Sequence, residues 1–207
     1  MAVGLFLLVR FFLLAGMGCG RYSSHMKQTI VSLDLEGVLV PEIWIAVAEK
    51  TGIEALRRTT RDEQDYNLLM RGRLDIMRAN NLKLSDIQNV IGSMSPLDGA
   101  KDFLDELRAQ TQVVILSDTF VQFANPLMRQ LDWPVIFCNH LEVSDDVVAN
   151  YHLRQPDQKR QSVAAFKSLN FEVIAAGDSY NDTSMLTEAN HGILFRAPEN
   201  IQSEFPQ

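Results

Sequence analysis

The sequence predicts an α/β fold: a doubly wound parallel sheet with a helical cap inserted near its start. Three observations carry this. Apolar runs of strand length alternate with segments of helical periodicity from Val31 to Phe195, as expected where helices cover both faces of a parallel sheet. Polar residues, most of them acidic, stand at the carboxyl ends of those runs, where open sheets of this class bind ligands. One interval, residues 41–95, shows helical patterns without a convincing strand and is too long for a simple crossover.

The chain is organised around residues 31–40, Val-Ser-Leu-Asp-Leu-Glu-Gly-Val-Leu-Val. On a strand, Asp34 and Glu36 point to the same side. Gly37 permits a sharp turn and Pro41 suits the first turn of a helix. That helix is expected over 42–51, with Gly52 as its stop. A second helical pattern, 65–80, carries Leu68, Leu69, Leu74, Ile76 and Met77 among Arg71 and Arg73. Ser85 is placed to cap a third helix, in which Ile87, Val90, Ile91 and Met94 follow helical spacing.

Pro96 and Gly99 mark the return to the main domain. Ala100, Phe103, Leu104 and Leu107 form one helical face, and a strand over 113–116 ends at Ser117-Asp118-Thr119. A helix over 121–130 leads through Pro134 to a strand at 135–138, and residues 140–154 alternate around Asp145-Asp146 as a small hairpin. A helix over 159–168, a strand over 173–176, the turn Gly177-Asp178-Ser179, a helix over 183–189 and an apolar run at 192–195 complete the pattern. The expected domains are a core of 26–40 with 96–207 and a cap of 41–95.

Composition narrows the function. With 207 residues, 46% of them hydrophobic, the chain can hold one sizeable core and an inserted subdomain. A net charge of -7 argues against a nucleic-acid partner. Two cysteines, Cys19 and Cys138, make no disulfide framework or thiolate metal site, and His25, His140, His152 and His191 lack ligand spacing. A cytoplasmic setting fits. Residues 1–25 form an apolar leader interrupted by Arg10. Signal peptide, lipoprotein signal ending at Cys19 and membrane anchor each fit this leader poorly; a start at Met26, or a non-functional leader, fits better. A membrane partner is expected only if residues 1–25 are an anchor.

Asp34/Glu36, Ser117, Lys159 and Asp178/Asp182 stand at strand ends or at the start of a helix. Right-handed crossovers bring the strand-end groups to one edge of the sheet. Acids converging there repel unless a divalent cation offsets them, and all-oxygen donors favour Mg2+ over zinc.

These residues carry a resemblance. Asp34-Leu35-Glu36-Gly37-Val38, Ser117, Lys159 and Gly177-Asp178-Ser179-Tyr180-Asn181-Asp182 resemble the four motifs of haloacid dehalogenase-type phosphatases. The insert resembles the cap of their phosphoserine phosphatase branch. Residues 34–44, 115–120 and 159–163 are similar to a bacterial subgroup, the bifunctional phosphoserine phosphatase/homoserine phosphotransferases. The likeness runs from about residue 26 to residue 206. Glu36 stands where Asp is usual, and Ser117-Asp118-Thr119 replaces Ser-Gly-Gly; both departures look like that subgroup. The chain also stops about one helix earlier than the subgroup does.

The resemblance implies roles. Asp34 attacks phosphorus and also ligates magnesium, the alternative being a metal ligand only. Glu36 is general acid and base, its backbone carbonyl a further ligand. Asp178 completes the metal site, and Asp182 orients the metal's waters or Lys159. Lys159 neutralises Asp34 and the phosphate, with Arg160 or Lys167 as alternatives. Ser117, with Asp118 and Thr119, meets the phosphoryl group, unless Ser117 only caps a helix. Asn181 binds phosphate or holds its turn. Glu42 receives the substrate ammonium and Arg73, or Arg71, its carboxylate; the alternative is solvated helix faces. Trp44 is expected in the core.

The expected function is a magnesium-dependent phosphoserine phosphatase that also transfers the phosphoryl group to homoserine. The alternatives are a phosphatase of another small phosphorylated metabolite and a non-catalytic phosphate-binding regulator. Phosphoserine and homoserine are the expected partners, with a homodimer compatible.

Overall fold

The computed structural model describes residues 27–60, 62–63 and 65–205, so the readings of residues 1–25 lie outside the described residues. The predicted fold class holds. Six strands form one sheet in the order β4-β3-β2-β1-β5-β6: β1 Thr29–Leu33, β2 Gln112–Phe120, β3 Val135–Ser144, β4 Val147–His152, β5 Glu172–Gly177 and β6 His191–Leu194. All neighbours pair in parallel except β3 and β4.

The alternation of each strand divides the core in two. Val31 and Leu33 of β1, Val113 and Ile115 of β2, and Ile174 and Ala176 of β5 face one apolar cluster. Ile30, Val114, Leu116, Val173 and Ala175 face the other. Helices α1 (Ile43–Thr51), α3 (Leu84–Gly92), α4 (Ala100–Arg108) and α5 (Val121–Gln130) contribute to the first cluster; α6 (Gln158–Ser168) and α7 (Thr183–Glu188) contribute to the second. Helix α2 (Tyr66–Ala79) sends Met70, Leu74 and Met77 into the first. The chain from α1 to α3 therefore shares its apolar contacts with the sheet. Among the described residues no helix is long and apolar enough to cross a membrane.

Local signals account for most boundaries. Gly52 ends α1 in the left-handed conformation with φ 72°. Asp65 caps α2, its carboxylate accepting from the Asn67 and Leu68 amides at 2.9 and 3.1 Å. Ser85 does not cap α3, which starts one residue earlier. Its amide and hydroxyl instead bond the Asp146 carboxylate at 3.0 and 2.5 Å. Leu84 donates to the Asp146 carbonyl at 2.9 Å, fastening α3 to the β3–β4 turn.

Strand β3 runs without a break from its parallel partner β2 into the hairpin with β4, so the hairpin is an extension of that strand rather than a separate excursion. Strand β2 likewise continues past Ser117 to Phe120, with a register shift after Leu116. The 3-10 turn Glu54–Arg57 and helix α8 (Glu199–Glu204) carried no sequence expectation. Each buries a single residue, Leu56 and Ile201 respectively.

Candidate active site

Strand β1 is central, so its carboxyl end is flanked by those of β2 and β5. The Asp34 amide donates to the Ala176 carbonyl at 2.9 Å, which sets Asp34 beside the start of the Gly177-Asp178 turn. The strand itself stops at Leu33. Asp34 and Glu36 therefore reach one cavity through a turn, not through strand alternation. In that turn the Leu39 and Val40 amides both donate to the Leu35 carbonyl, at 2.9 and 3.0 Å, and Gly37 donates to the Val40 carbonyl at 2.8 Å.

Two glycines allow the backbones to close on the acids. Gly37 has φ 78°, and a Cβ there would lie 2.3 Å from Asp178 Oδ2. A Cβ on Gly177 would lie 2.4 Å from Asp182 Cγ.

Asp34, Asp178 and Asp182 are buried, and each offers a carboxylate oxygen within 4.8 Å of the others. Lys159, the second residue of α6, places Nζ 2.9 Å from Asp34 Oδ1 and 2.8 Å from Asp182 Oδ1. Asp118 Oδ2 lies 3.7 Å from the same ammonium. Burial opposes the lysine charge, yet Asp182, Asp34 and Asp118 hold its pKa well above the ordinary value. Burial and the neighbouring Asp182 push Asp34 well above the usual carboxylate range despite Lys159. One ammonium thus faces more negative charge than it neutralises. The donors are hard oxygens, so the cluster fits a hard divalent cation.

The three acids are not equivalent. Asp182 Oδ2 accepts from the Asp178 and Ser179 amides at 3.0 and 3.1 Å while Oδ1 takes Lys159. Asp182 is therefore a brace for the turn and the lysine, with Asp34 and Asp178 in front. The Asp34 carboxylate meets Leu35 N at 2.7 Å and Lys159 Nζ at 2.9 Å, both on Oδ1. The other cations weighed on α6 point elsewhere. Lys167 bonds Glu188, and Arg160 pairs with Asp157 and Glu188.

Ser117 is buried in β2 and its hydroxyl accepts from the Thr119 amide at 3.2 Å. It lies within the strand, which excludes a helix-cap role. Asp118 is held by Asn181 Nδ2 at 2.9 Å and Gln158 Nε2 at 3.1 Å. Asn181 also accepts from the Ser179 hydroxyl. It therefore holds its own turn while joining it to β2.

A cavity of about 60 Å³ is lined by Asp34, Ser117, Asp118, Lys159, Asp178 and Asn181 together with Glu36, Glu42, Trp44, Thr119 and Arg73. Glu36 accepts from the Ile43 amide at 2.9 Å. Burial, then the nearby Glu42, raises its pKa to about 7. Arg73 is buried with its guanidinium 4.5 Å over the Trp44 ring, whereas Arg71 is exposed. Arg73 Nη2 donates to the Arg58 carbonyl at 2.7 Å, and its Nε has no partner among the described residues. Trp44 is both core and wall: it is buried, packs edge-on against Phe123 at 5.5 Å and lines the cavity.

Sequence reasoning missed Tyr66. It lines the cavity from α2 and donates its hydroxyl to the Asp118 carbonyl at 2.8 Å. Burial raises the phenol's pKa, which keeps it a donor. It stands two helical turns before Arg73, and that spacing on one face was the available signal.

The comparisons agree with this architecture. The family model described as haloacid dehalogenase-like hydrolase matches residues 29–190. A curated relative from Pseudomonas aeruginosa, phosphoserine phosphatase ThrH, is 64% identical over 179 residues, covering 86% of this chain and 87% of the relative. A phosphoserine phosphatase from Pseudomonas syringae pv. tomato is 63% identical, covering 86% and 76%. A solved apo phosphoserine phosphatase superposes with a TM-score of 0.72 at 20% identity, covering 87% of this chain and 92% of its own, which is a likeness of fold.

Proposed function

The chain belongs to the haloacid dehalogenase-like hydrolase family, and from that premise we propose a magnesium-dependent phosphoserine phosphatase that also passes its phosphoryl group to homoserine. The observation that carries this reading is the pairing of Asp34 and Lys159 at the floor of a cavity whose wall holds the buried Arg73. The high identity to the two Pseudomonas phosphoserine phosphatases supports the substrate.

In the proposed reaction Asp34 attacks phosphorus through Oδ2 and forms an aspartyl-phosphate, dividing the displacement into two steps. Lys159 and the Ser117 hydroxyl face the phosphoryl oxygens, with Thr119 and Asn181 alongside. Asp118 takes part by fixing Asn181 and Gln158. Glu36, with a pKa of about 7, gives a proton to the departing serine oxygen and takes one from the incoming water or homoserine. Glu42 meets the substrate ammonium and Arg73 its carboxylate. Asp34, Asp178 and the Glu36 carbonyl would hold magnesium, which supplies countercharge to the phosphoryl oxygens. Asp182 holds Lys159 in place. Residues 41–95 act as the cap over this site, carried on a core of 26–40 and 96–207. The reading places the enzyme in the cytoplasm, with a homodimer compatible.

Incubation with phosphoserine and magnesium tests this, with inorganic phosphate and phosphohomoserine measured in the presence and absence of homoserine. Both products are expected, and both should vanish in Asp34→Asn, whose amide cannot form the acyl-phosphate. Phosphate release by a mass-verified Asp34→Asn protein would overturn the mechanism. Hydrolysis without phosphohomoserine at saturating homoserine would leave the phosphatase alone.

A further inference from the structure

A second cavity, of about 440 Å³, shares Thr60, Tyr66, Asp118, Lys159 and Asn181 with the cavity that holds Asp34. We propose that this outer cavity is an acceptor site for neutral or cationic alcohols, polyols and amino alcohols, which take the phosphoryl group from Asp34. The inference rests on the aspartyl-phosphate reading and extends it to a class of acceptor that the amino-acid clamp does not select.

Size is the first argument. The inner cavity, about 60 Å³, is the smaller of the two, whereas the outer one is within the range of small-molecule sites, about 300–1,000 Å³. Neither Glu42 nor Arg73 lines the outer cavity. The groups assigned to the serine or homoserine backbone therefore leave it unexplained.

Lining chemistry is the second argument. The Thr183 and Ser184 hydroxyls, which donate to the Tyr180 carbonyl and to Asp157, keep lone pairs that can accept from an alcohol, Gln155 adds an amide, and Leu153 gives an apolar wall. Lys159 is the cation among the described lining residues, and its ammonium is committed to Asp34 and Asp182 at 2.9 and 2.8 Å. Arg160, just outside, is turned to Asp157 and Glu188. Two carboxylates, Asp118 and Asp157, belong to the lining. Among the described residues of the lining, a ligand carboxylate or second phosphate would find no uncommitted cation and would meet like charge. A hydroxylated ligand without negative charge meets hydrogen-bond partners and, if cationic, a favourable field.

The chemical step is the second half of the phosphatase cycle with another nucleophile. The alcohol oxygen bonds to phosphorus as the Asp34 Oδ–P bond breaks, and its proton passes to Glu36. The products are the phosphate ester of the alcohol and the free Asp34 carboxylate. A bound alcohol competes with water through its effective concentration.

The test uses the full chain with phosphoserine as donor and glycerol, tris(hydroxymethyl)aminomethane or glycerate as acceptor. Serine, inorganic phosphate and phosphate esters are measured together by enzymatic assay and phosphorus NMR. Glycerol and the amine should give esters, so that serine release exceeds phosphate release; glycerate, of similar size but anionic, should give about tenfold less. Leu153→Trp and Gln155→Trp, two independent ways of filling the cavity, should each lower the ratio of glycerol ester to phosphate about tenfold. The ratio of phosphohomoserine to phosphate should hold in both. Equal use of glycerate, or an unchanged ratio in both variants, overturns the acceptor site. Serine release with phosphate as the sole product overturns it too but leaves the phosphatase standing, and absence of serine release overturns both.

Discussion

Replacing Arg73 with methionine distinguishes a substrate clamp from a structural strut, because the two roles predict different readouts. The guanidinium is costly to keep charged: burial lowers its pKa from the ordinary arginine value to about 10, which disfavours the folded, charged form by about 3 kcal/mol. For a base with a depressed folded pKa this cost is present throughout the range below about pH 10. Methionine removes it. The same change loses the charged hydrogen bond to the Arg58 carbonyl, about 1.5–3 kcal/mol. It also loses the contact with the Trp44 face, about 0.5–2 kcal/mol. These effects nearly cancel. The melting temperature should therefore move by less than about 5 °C, at about 2–4 °C per kcal/mol for a chain of this size.

Activity should not cancel. Loss of a charged contact to the substrate carboxylate, about 1.5–3 kcal/mol, lowers kcat/KM for phosphoserine by about 10- to 150-fold. Phosphoethanolamine, which lacks that carboxylate, is the control, and its kcat/KM should change by less than about threefold. Arg73 also holds the carbonyl just before Thr59 and Thr60, which line the cavity. A strut acting through that loop would harm both substrates alike. An unchanged preference for phosphoserine over phosphoethanolamine in Arg73→Met would refute the clamp.

Three further outcomes can be checked. Magnesium should raise the melting temperature of the wild type, by an effect of about 2.7 kcal/mol at a hundredfold excess over Kd, and Asp178→Asn should abolish that rise; an undiminished rise would remove Asp178 from the metal site. Gly177→Ala should cost about 1–3 kcal/mol, since the new methyl would sit 2.4 Å from Asp182 Cγ, and a melting curve matching the wild type would show that the turn can relax. Glu36, raised by burial from 4.5 to about 7, binds its proton more tightly in the folded state. Its contribution is present below about pH 4.5 and lost as pH rises through 7, so the metal-free wild type should lose about 3 kcal/mol relative to Glu36→Gln across that interval. A pH-independent difference between the two in urea unfolding would contradict the assigned shift.

What the sequence revealed and what it hid follow from the range of the interactions involved. Strand alternation is local, and it sets Val31 and Leu33 on one face and Ile30 on the other whichever strands pair with β1. The acids at strand ends were legible for a similar reason: a parallel sheet gathers its carboxyl ends whatever the intervening helices do. Polar pairings across the chain leave no periodic trace. Ser85 has the composition of a helix cap, but its partner is Asp146, 61 residues away. The sequence pattern ends strand β2 at Ser117 because Asp118 and Thr119 break the apolar run. The strand persists where the Asp118 carbonyl accepts from Tyr66 and Asn139, neither adjacent in sequence.

The cations of α6 show the same limit within a single helix. Lys159, Arg160 and Lys167 are alike in charge, and the family resemblance favoured Lys159 without excluding the others. The deciding fact is direction: the start of α6 lies against β2 through Gln158, which donates to the Ser117 carbonyl and to Asp118. That contact turns the next residue inward, onto Asp34 and Asp182. Arg160, one position further round the helix, emerges beside Asp157 and Glu188. Gln158→Ala should consequently loosen Lys159 while leaving its charge in place, which makes Gln158 the residue through which the helix aims the lysine.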